Sequence, residues 1–163
     1  MNAHTERLNV GPSRMPQHRY IKYVPSETTM KRIGKWHVRL FRATRGLIGR
    51  RVDGLDVLLL TTTGKKTGLS RTVPLPYFRD GEDYVLIASF GGNDKNPAWF
   101  HNLTKTPHVQ LEVGPRRFQA LAVVADEPER ERIWGNITRE FPRYLQYQRK
   151  TERKIPVVVL KPE

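Results

Sequence analysis

A chain of 163 residues has room for one domain with a real core but not for two. It contains no cysteine, which excludes disulfides, thiolate metal ligands and a cysteine nucleophile. Its net charge of +13 is unevenly spread: residues 1–51 carry twelve Lys or Arg against Glu6 and Glu27, and residues 52–163 carry seventeen against fourteen acids. The basic character therefore sits in an N-terminal extension, which points to an anionic partner: a lipid surface, a nucleic acid or an acidic ligand. No apolar run reaches membrane-spanning length and no secretory segment opens the chain, so a soluble cytoplasmic protein is the expectation.

Residues 1–25 hold Pro12, Pro16, Pro25 and scattered charges, and read as an extended or disordered basic lead-in to one domain over 26–163. Ser26 is placed to cap a helix starting at Glu27. Met30, Ile33, Trp36 or His37, Leu40, Phe41, Leu47 and Ile48 recur at helical spacing, with Lys31, Arg32, Lys35, Arg39 and Arg42 on much of the other side. This basic amphipathic helix ends near Gly46 or Gly49. Packing on its own domain is the plain expectation; a second subunit or an anionic bilayer are the alternatives.

Val57-Leu58-Leu59-Leu60 runs into Thr61-Thr62-Thr63 and reads as a buried strand. Gly64 breaks it, and Lys65-Lys66-Thr67-Gly68 makes a tight turn followed by Arg71. One exposed corner thus receives backbone N–H groups, three hydroxyls and three cations, which suits an anion. A hairpin loop with solvated lysines is the plainer alternative. The glycines do not match a phosphate-cradling nucleotidase loop.

Arg71 to Arg79 is a second strand in which Pro74 and Pro76 demand an edge or a bulge. Asp80-Gly81 centres a hairpin turn, and Asp83 to Phe90 is a third strand that ends on Gly91-Gly92. Asn96 and Pro97 read as cap and first turn of a short helix bearing Trp99, Phe100 and Leu103. His108 to Val113 and Phe118 to Val124 alternate as strands about Gly114-Pro115. Glu127 to Phe141 is helical, Tyr144 and Tyr147 lie on a short helical segment, and Ile155 to Leu160 is a last buried strand. The expected class is α+β: six mostly antiparallel strands, better as a small β-barrel with flanking helices than as a doubly wound sheet.

Catalytic side chains are scarce. There is no GxSxG or HExxH motif, and His101 and His108 straddle Pro107, so a metal site is not expected. Ser89 has no marked base. An anion-gripping barrel without an evident acid, base or nucleophile implies a bound cofactor that carries the reactivity.

TTTGKKTGLSRTVPL, VLIASFGGNDKNPAWFHNL and FPRYLQYQRKTERKIPVVVL, in this order, resemble the deazaflavin-dependent nitroreductase and quinone reductase family of actinobacteria. The resemblance implies a split β-barrel and coenzyme F420. It implies that Thr63, Gly64, Lys65, Lys66, Thr67, Gly68 and Arg71 hold the coenzyme's phosphate and glutamate tail. Pro74, Ile87, Ala88, Ser89, Phe90 and Gly91 would line the deazaflavin ring, and Asn96, Pro97, Trp99 and Asn102 would close the groove. Tyr144 and Tyr147 match substrate-side tyrosines. Three departures bear on substrate choice: Pro76 where the prototype has tyrosine, Phe90 where lysine is common, and Phe141 in place of another tyrosine.

The reaction implied is hydride transfer from reduced F420 to a conjugated acceptor, with quinones first and nitroaromatics or activated enones as promiscuous substrates. Backbone N–H groups around Ser89 to Gly91, or the Tyr144 hydroxyl, would steady charge on the acceptor. Ordinary aromatic packing is the plainer role for Tyr144 and Tyr147. Residues 27–46 would face an anionic membrane from its cytoplasmic side, and a homodimer is compatible with the same helix. Two other readings compete. One is an FMN-dependent split barrel. The other is a basic nucleic-acid-binding module, against which stand the missing reading motif and the apolar face of the helix.

Overall fold

The computed structural model describes residues 27–163, with side chains from Ile33 onward. The expectations for residues 1–25, for Ser26 as a cap and for the Met30 to Arg32 side chains lie outside the described residues. Helix α1 spans Glu27–Ala43. Strands β1 (Arg51–Val52), β2 (Leu55–Thr63), β3 (Ser70–Pro76), β4 (Phe78–Asp80) and β5 (Asp83–Ile87) follow. After a 3-10 turn at Phe90–Gly92 come α2 (Ala98–Lys105), β6 (His108–Val113) and β7 (Arg116–Val124). Helices α3 (Glu127–Glu140) and α4 (Arg143–Gln148) and strand β8 (Val157–Pro162) complete the chain.

Eight strands stand where six were expected, for two physical reasons. The two-residue β1 pairs only with the start of β2. The expected second strand is broken at Tyr77 into β3, which pairs with β2, and β4, which pairs with β5. The order β3-β2-β6-β7-β8-β5-β4 therefore begins and ends on one stretch of chain, and the antiparallel sheet curls towards closure as a barrel. Pro74 and Pro76 sit on β3, which among the described residues pairs only with β2, as prolines on an edge strand do. The β4–β5 loop is Gly81-Glu82, with Asp80 paired to Asp83, so the turn lies one residue later than Asp80-Gly81.

Alternation sorts the side chains into two cores. Leu58, Leu60, Leu86, Leu111, Val158 and Leu160 fill the barrel, joined by Trp99 and Leu103 of α2. On the outer face of β5 and β8, Val85, Ile87, Val157 and Val159 pack against Ile133 and Ile137 of α3 and Tyr144 of α4. A third, smaller cluster joins Val38 and Phe41 of α1 to Leu59.

That third cluster changes the reading of α1. The helix does pack on its own domain, but through Val38 and Phe41 rather than through its whole apolar stripe. Ile33 (57 % exposed), Trp36 (70 %) and Leu40 (46 %) stay open, as do Leu47 and Ile48 beyond its end. Arg42 leaves the cationic face and forks onto the buried Glu112 of β6, with Nε–Oε distances of 3.0 and 3.1 Å. Gly46 is required beside it: a side chain there would meet Gly114 Cα at 2.6 Å.

Candidate functional site

Thr63, at the end of β2, leads into a self-satisfied loop. Gly64 N donates to Leu69 O at 2.8 Å, and Thr67 N and Gly68 N donate back to Gly64 O. Leu69 N donates to Thr67 Oγ1. Lys65 N donates to Asn102 Oδ1 at 2.9 Å, and Asn102 Nδ2 donates to Thr62 Oγ1 at 3.0 Å. Thr61 and Thr72 pair their hydroxyls at 2.8 Å.

The expectation that this corner receives backbone N–H groups and three hydroxyls to grip an anion is therefore corrected. The hairpin uses most of them to build itself, because unpaired polar groups are costly once the strand end is buried. Among the described residues, Thr63 keeps its hydroxyl unbonded. What projects from the loop is charge: Lys65, Lys66 and Arg71 are exposed, and none pairs with a carboxylate among the described residues.

The second half of the candidate site is the end of β5. Ile87 and Ala88 are buried, and Ser89 and Phe90 half-buried. Phe90, Gly91 and Gly92 all take positive φ, of 47°, 66° and 84°. The N–H groups of Phe90 and Gly91 donate to nothing among the described residues, and space over Gly91 is open. The Ser89 hydroxyl has no basic partner there, which fits backbone shaping rather than nucleophilic attack.

Helix α2 braces the cationic corner. Asn102, 8 % exposed, spends its amide on the β2 corner, so it holds the loop from behind. Lys105 Nζ reaches Lys65 O at 3.2 Å from the same helix. At the other end the helix starts one residue later than expected. Pro97 is the extended cap and Asn96 makes no capping bond. Its Oδ1 instead accepts from Arg153 Nη1 at 2.7 Å. Trp99 points into the barrel core and fixes the helix on the sheet.

On the remaining side, Phe78 packs against Phe141 and Tyr144 with centroids 5.3 and 5.6 Å apart. Tyr147 meets Tyr144 edge-on at 5.7 Å. Burial pushes the Tyr144 phenol up to about 12, with Arg143 opposing and Tyr147 adding to the shift. At neutral pH it is a donor and not a base. Gly92 packs on α4, where a side chain would meet Tyr147 O at 2.7 Å, so the β5 end and the tyrosine helix are in contact. Pro74 lies beneath α1, where a side chain on Gly34 would touch it at 3.8 Å. Pro76 is exposed at the end of β3. The structure thus joins the cationic corner to α2 by direct hydrogen bonds, and the β5 end to α4 through Gly92.

Sequence reasoning missed Arg153 and the bracing role of Asn102. The cue was a cation inside the third motif, just ahead of a buried strand. His101 and His108 are exposed, and among the described residues no three acidic or histidine side chains gather as a metal site.

Comparison with known proteins supplies the family. An F420H(2)-dependent quinone reductase of Mycobacterium tuberculosis is 44% identical over 128 residues, covering 76% of this chain and 86% of its own. The solved structure of an F420-H2 dependent reductase, FDR-A, superposes with a TM-score of 0.59 at 36% identity, over 64% of this chain and 93% of its own. A structure described as a domain-swapped dimer gives a TM-score of 0.62 at 32% identity, over 83% of this chain and all of its own. The family model for F420H(2)-dependent quinone reductase matches residues 33–162, from mid-α1 to the last strand, and the chain belongs to that family.

Proposed function

We propose that this protein passes a hydride from reduced coenzyme F420 to a quinone, gripping the coenzyme's phosphate and glutamate tail at the corner between β2 and β3. The family carries the reaction. The observation that carries the site is the set of three exposed cations, Lys65, Lys66 and Arg71, without a carboxylate partner among the described residues. A polyanionic tail fits that set. FMN, which ends at one phosphate, would leave part of it unmatched.

When bound, the reduced deazaflavin supplies a hydride in one two-electron step. The chain contributes placement. Pro74 and the run from Ile87 to Gly91 form the seat for the ring, Asn96 and Pro97 close the groove from the lead-in to α2, and Trp99 and Asn102 hold that helix in place from behind. The N–H groups of Phe90 and Gly91, unpartnered among the described residues, are suited to steady negative charge on the acceptor oxygen. Tyr144 stays protonated, and its hydroxyl has no partner among the described residues, so it is suited to donate a hydrogen bond or a proton. Phe141, Tyr147 and Pro76 shape the acceptor side.

Fluorescence titration with coenzyme F420 and with FMN tests this directly. Tight F420 binding, weak FMN binding and quinone reduction with little peroxide are expected. A protein that purifies yellow with FMN and turns over with NADPH would overturn the assignment.

The open face of α1 bears on where the quinone comes from. Ile33, Trp36, Leu40 and Val52 line an apolar hollow of about 590 Å³ with His37 and Gly49. Lys35, Arg39, Arg50 and Arg51 are exposed around it. An apolar face flanked by cations, with a tryptophan in its lining, fits an anionic lipid surface, where a quinone dissolves. Among the described residues no helix is long and apolar enough to cross a membrane, so the contact would be peripheral. A homodimer is the second reading, favoured by the domain-swapped dimer of a structural neighbour. Sedimentation with vesicles separates the two. The protein should pellet with anionic vesicles and remain behind with neutral ones. Equal behaviour towards both, with dimers in lipid-free buffer, would favour the dimer.

A further inference from the structure

Four acceptors converge on the Arg153 guanidinium. Nε donates to Asn93 O at 2.8 Å and Nη1 to Asn96 Oδ1 at 2.7 Å. Nη2 donates to Ala88 O at 3.1 Å and to Ser89 O at 2.9 Å. Among the described residues no carboxylate forms an ion pair with it. Three of its four bonds go to main-chain carbonyls of the coenzyme-ring loop and one to a side-chain amide.

The positions of these acceptors matter more than their number. Ala88 and Ser89 precede the left-handed tripeptide Phe90-Gly91-Gly92, and Asn93 and Asn96 follow it. Glycine adopts positive φ freely, but at Phe90 the Cβ crowds its own backbone. Such strain persists only where the surroundings hold it in place. The guanidinium closes a bracket across the strained turn. Its own support is firm: Arg153 O accepts from Gln148 Nε2 at 2.8 Å, and Ile155 N donates to Gln148 Oε1 at 3.0 Å. The bracket therefore hangs from α4, through Gln148, just ahead of β8.

We infer that Arg153 is a positioning residue, which holds residues 88–96 in the strained turn that presents Phe90 and the free Phe90 and Gly91 N–H groups to the deazaflavin ring and the acceptor. This rests on the coenzyme reading above and adds a cause for the shape of the ring seat. It also ties that seat to the tyrosine helix, because Gln148 belongs to α4.

The test uses Arg153→Gln and Arg153→Lys in the full chain. The first readout is amide hydrogen exchange in the coenzyme-free protein, at Ala88, Gly92 and Asn93, whose N–H groups are bonded in the resting fold. The second is titration with F420 and with a deazaflavin lacking the tail. In Arg153→Gln, exchange at these amides should rise about tenfold, and both coenzyme forms should lose affinity by a similar factor of about ten, because the defect lies at the ring. Arg153→Lys keeps one charged donor and should fall in between. Phe90→Gly removes the strain, so in the Arg153→Gln background it should bring exchange at Ala88, Gly92 and Asn93 back towards the parent rate in the coenzyme-free protein, a coupling that an unrelated structural defect would not show.

Unchanged exchange across 88–96 overturns the assignment, as does faster exchange with unchanged coenzyme affinity, or strict additivity with Phe90→Gly. If Arg153→Gln does not fold, Arg153→Lys is read on the same scales. Failure of the unaltered protein to bind F420 overturns the coenzyme reading and this role together, and is seen before any variant is made.

Discussion

Replacing Lys65, Lys66 and Arg71 together with Ala will weaken binding of F420 by about a hundredfold or more, while a deazaflavin lacking the tail loses little. Each cation removed deletes a charge-assisted contact to phosphate or carboxylate, and three such contacts of about 1 kcal/mol compound to that factor. The loop should survive the change. Its turn is built from Gly64, Thr67 and Leu69 bonds and from the amide of Asn102, none of which uses the three side-chain charges. Melting temperature should therefore stay nearly constant while affinity falls, and added salt should weaken the parent more than the variant. Equal loss for the tailed and tail-less forms would place these cations elsewhere in the mechanism.

The corner was legible in the sequence because it is local. A buried run, a glycine break and three cations within a few residues describe a hairpin and its charge without reference to the rest of the chain. Its hydroxyls were misread for the opposite reason. Asn102 lies 40 residues from Thr62 and 37 from Lys65, and nothing in the spacing reports that its amide takes them up. Asn96 shows the same limit. It looked like a cap to Pro97, but its oxygen is taken by Arg153, 57 residues away. A competing partner from a distant segment overrides a local propensity.

Strand identity followed from alternation, while strand count did not. The break at Tyr77 arises because one stretch of chain must serve both edges of the curling sheet, pairing with β2 and then with β5. That is a property of closure, which no single strand records. The left-handed turn at Phe90 was hidden too, since glycine is the usual signal for positive φ and two glycines follow it. For α1, spacing identified an apolar face but not what would cover it. Val38 and Phe41 reach Leu59, and much of the face is left open.

The remaining large effect concerns how α1 is held. Arg42→Ala should destabilise the fold by about 2–3 kcal/mol, which for a chain of this size lowers the melting temperature by roughly 5–10 °C. The cause is the carboxylate left behind. Glu112 is 8 % exposed on β6, and Arg42 supplies the charged partner seen there. Truncating one member of a fully buried pair costs more, but the Arg42 side chain is 44 % exposed, so water reaches part of the site and softens the loss. The double variant Arg42→Met, Glu112→Leu should recover much of the stability, because no unpaired charge remains. Arg132→Ala is the internal comparison. It breaks the forked pair with Asp80, where the Arg132 and Asp80 side chains are 52 % and 30 % exposed, and should leave the melting temperature nearly unchanged. Urea denaturation of the four proteins checks the order. If Arg42→Ala is no worse than Arg132→Ala, the pair is not what holds α1, and the contacts of Val38 and Phe41 with Leu59 carry that load alone.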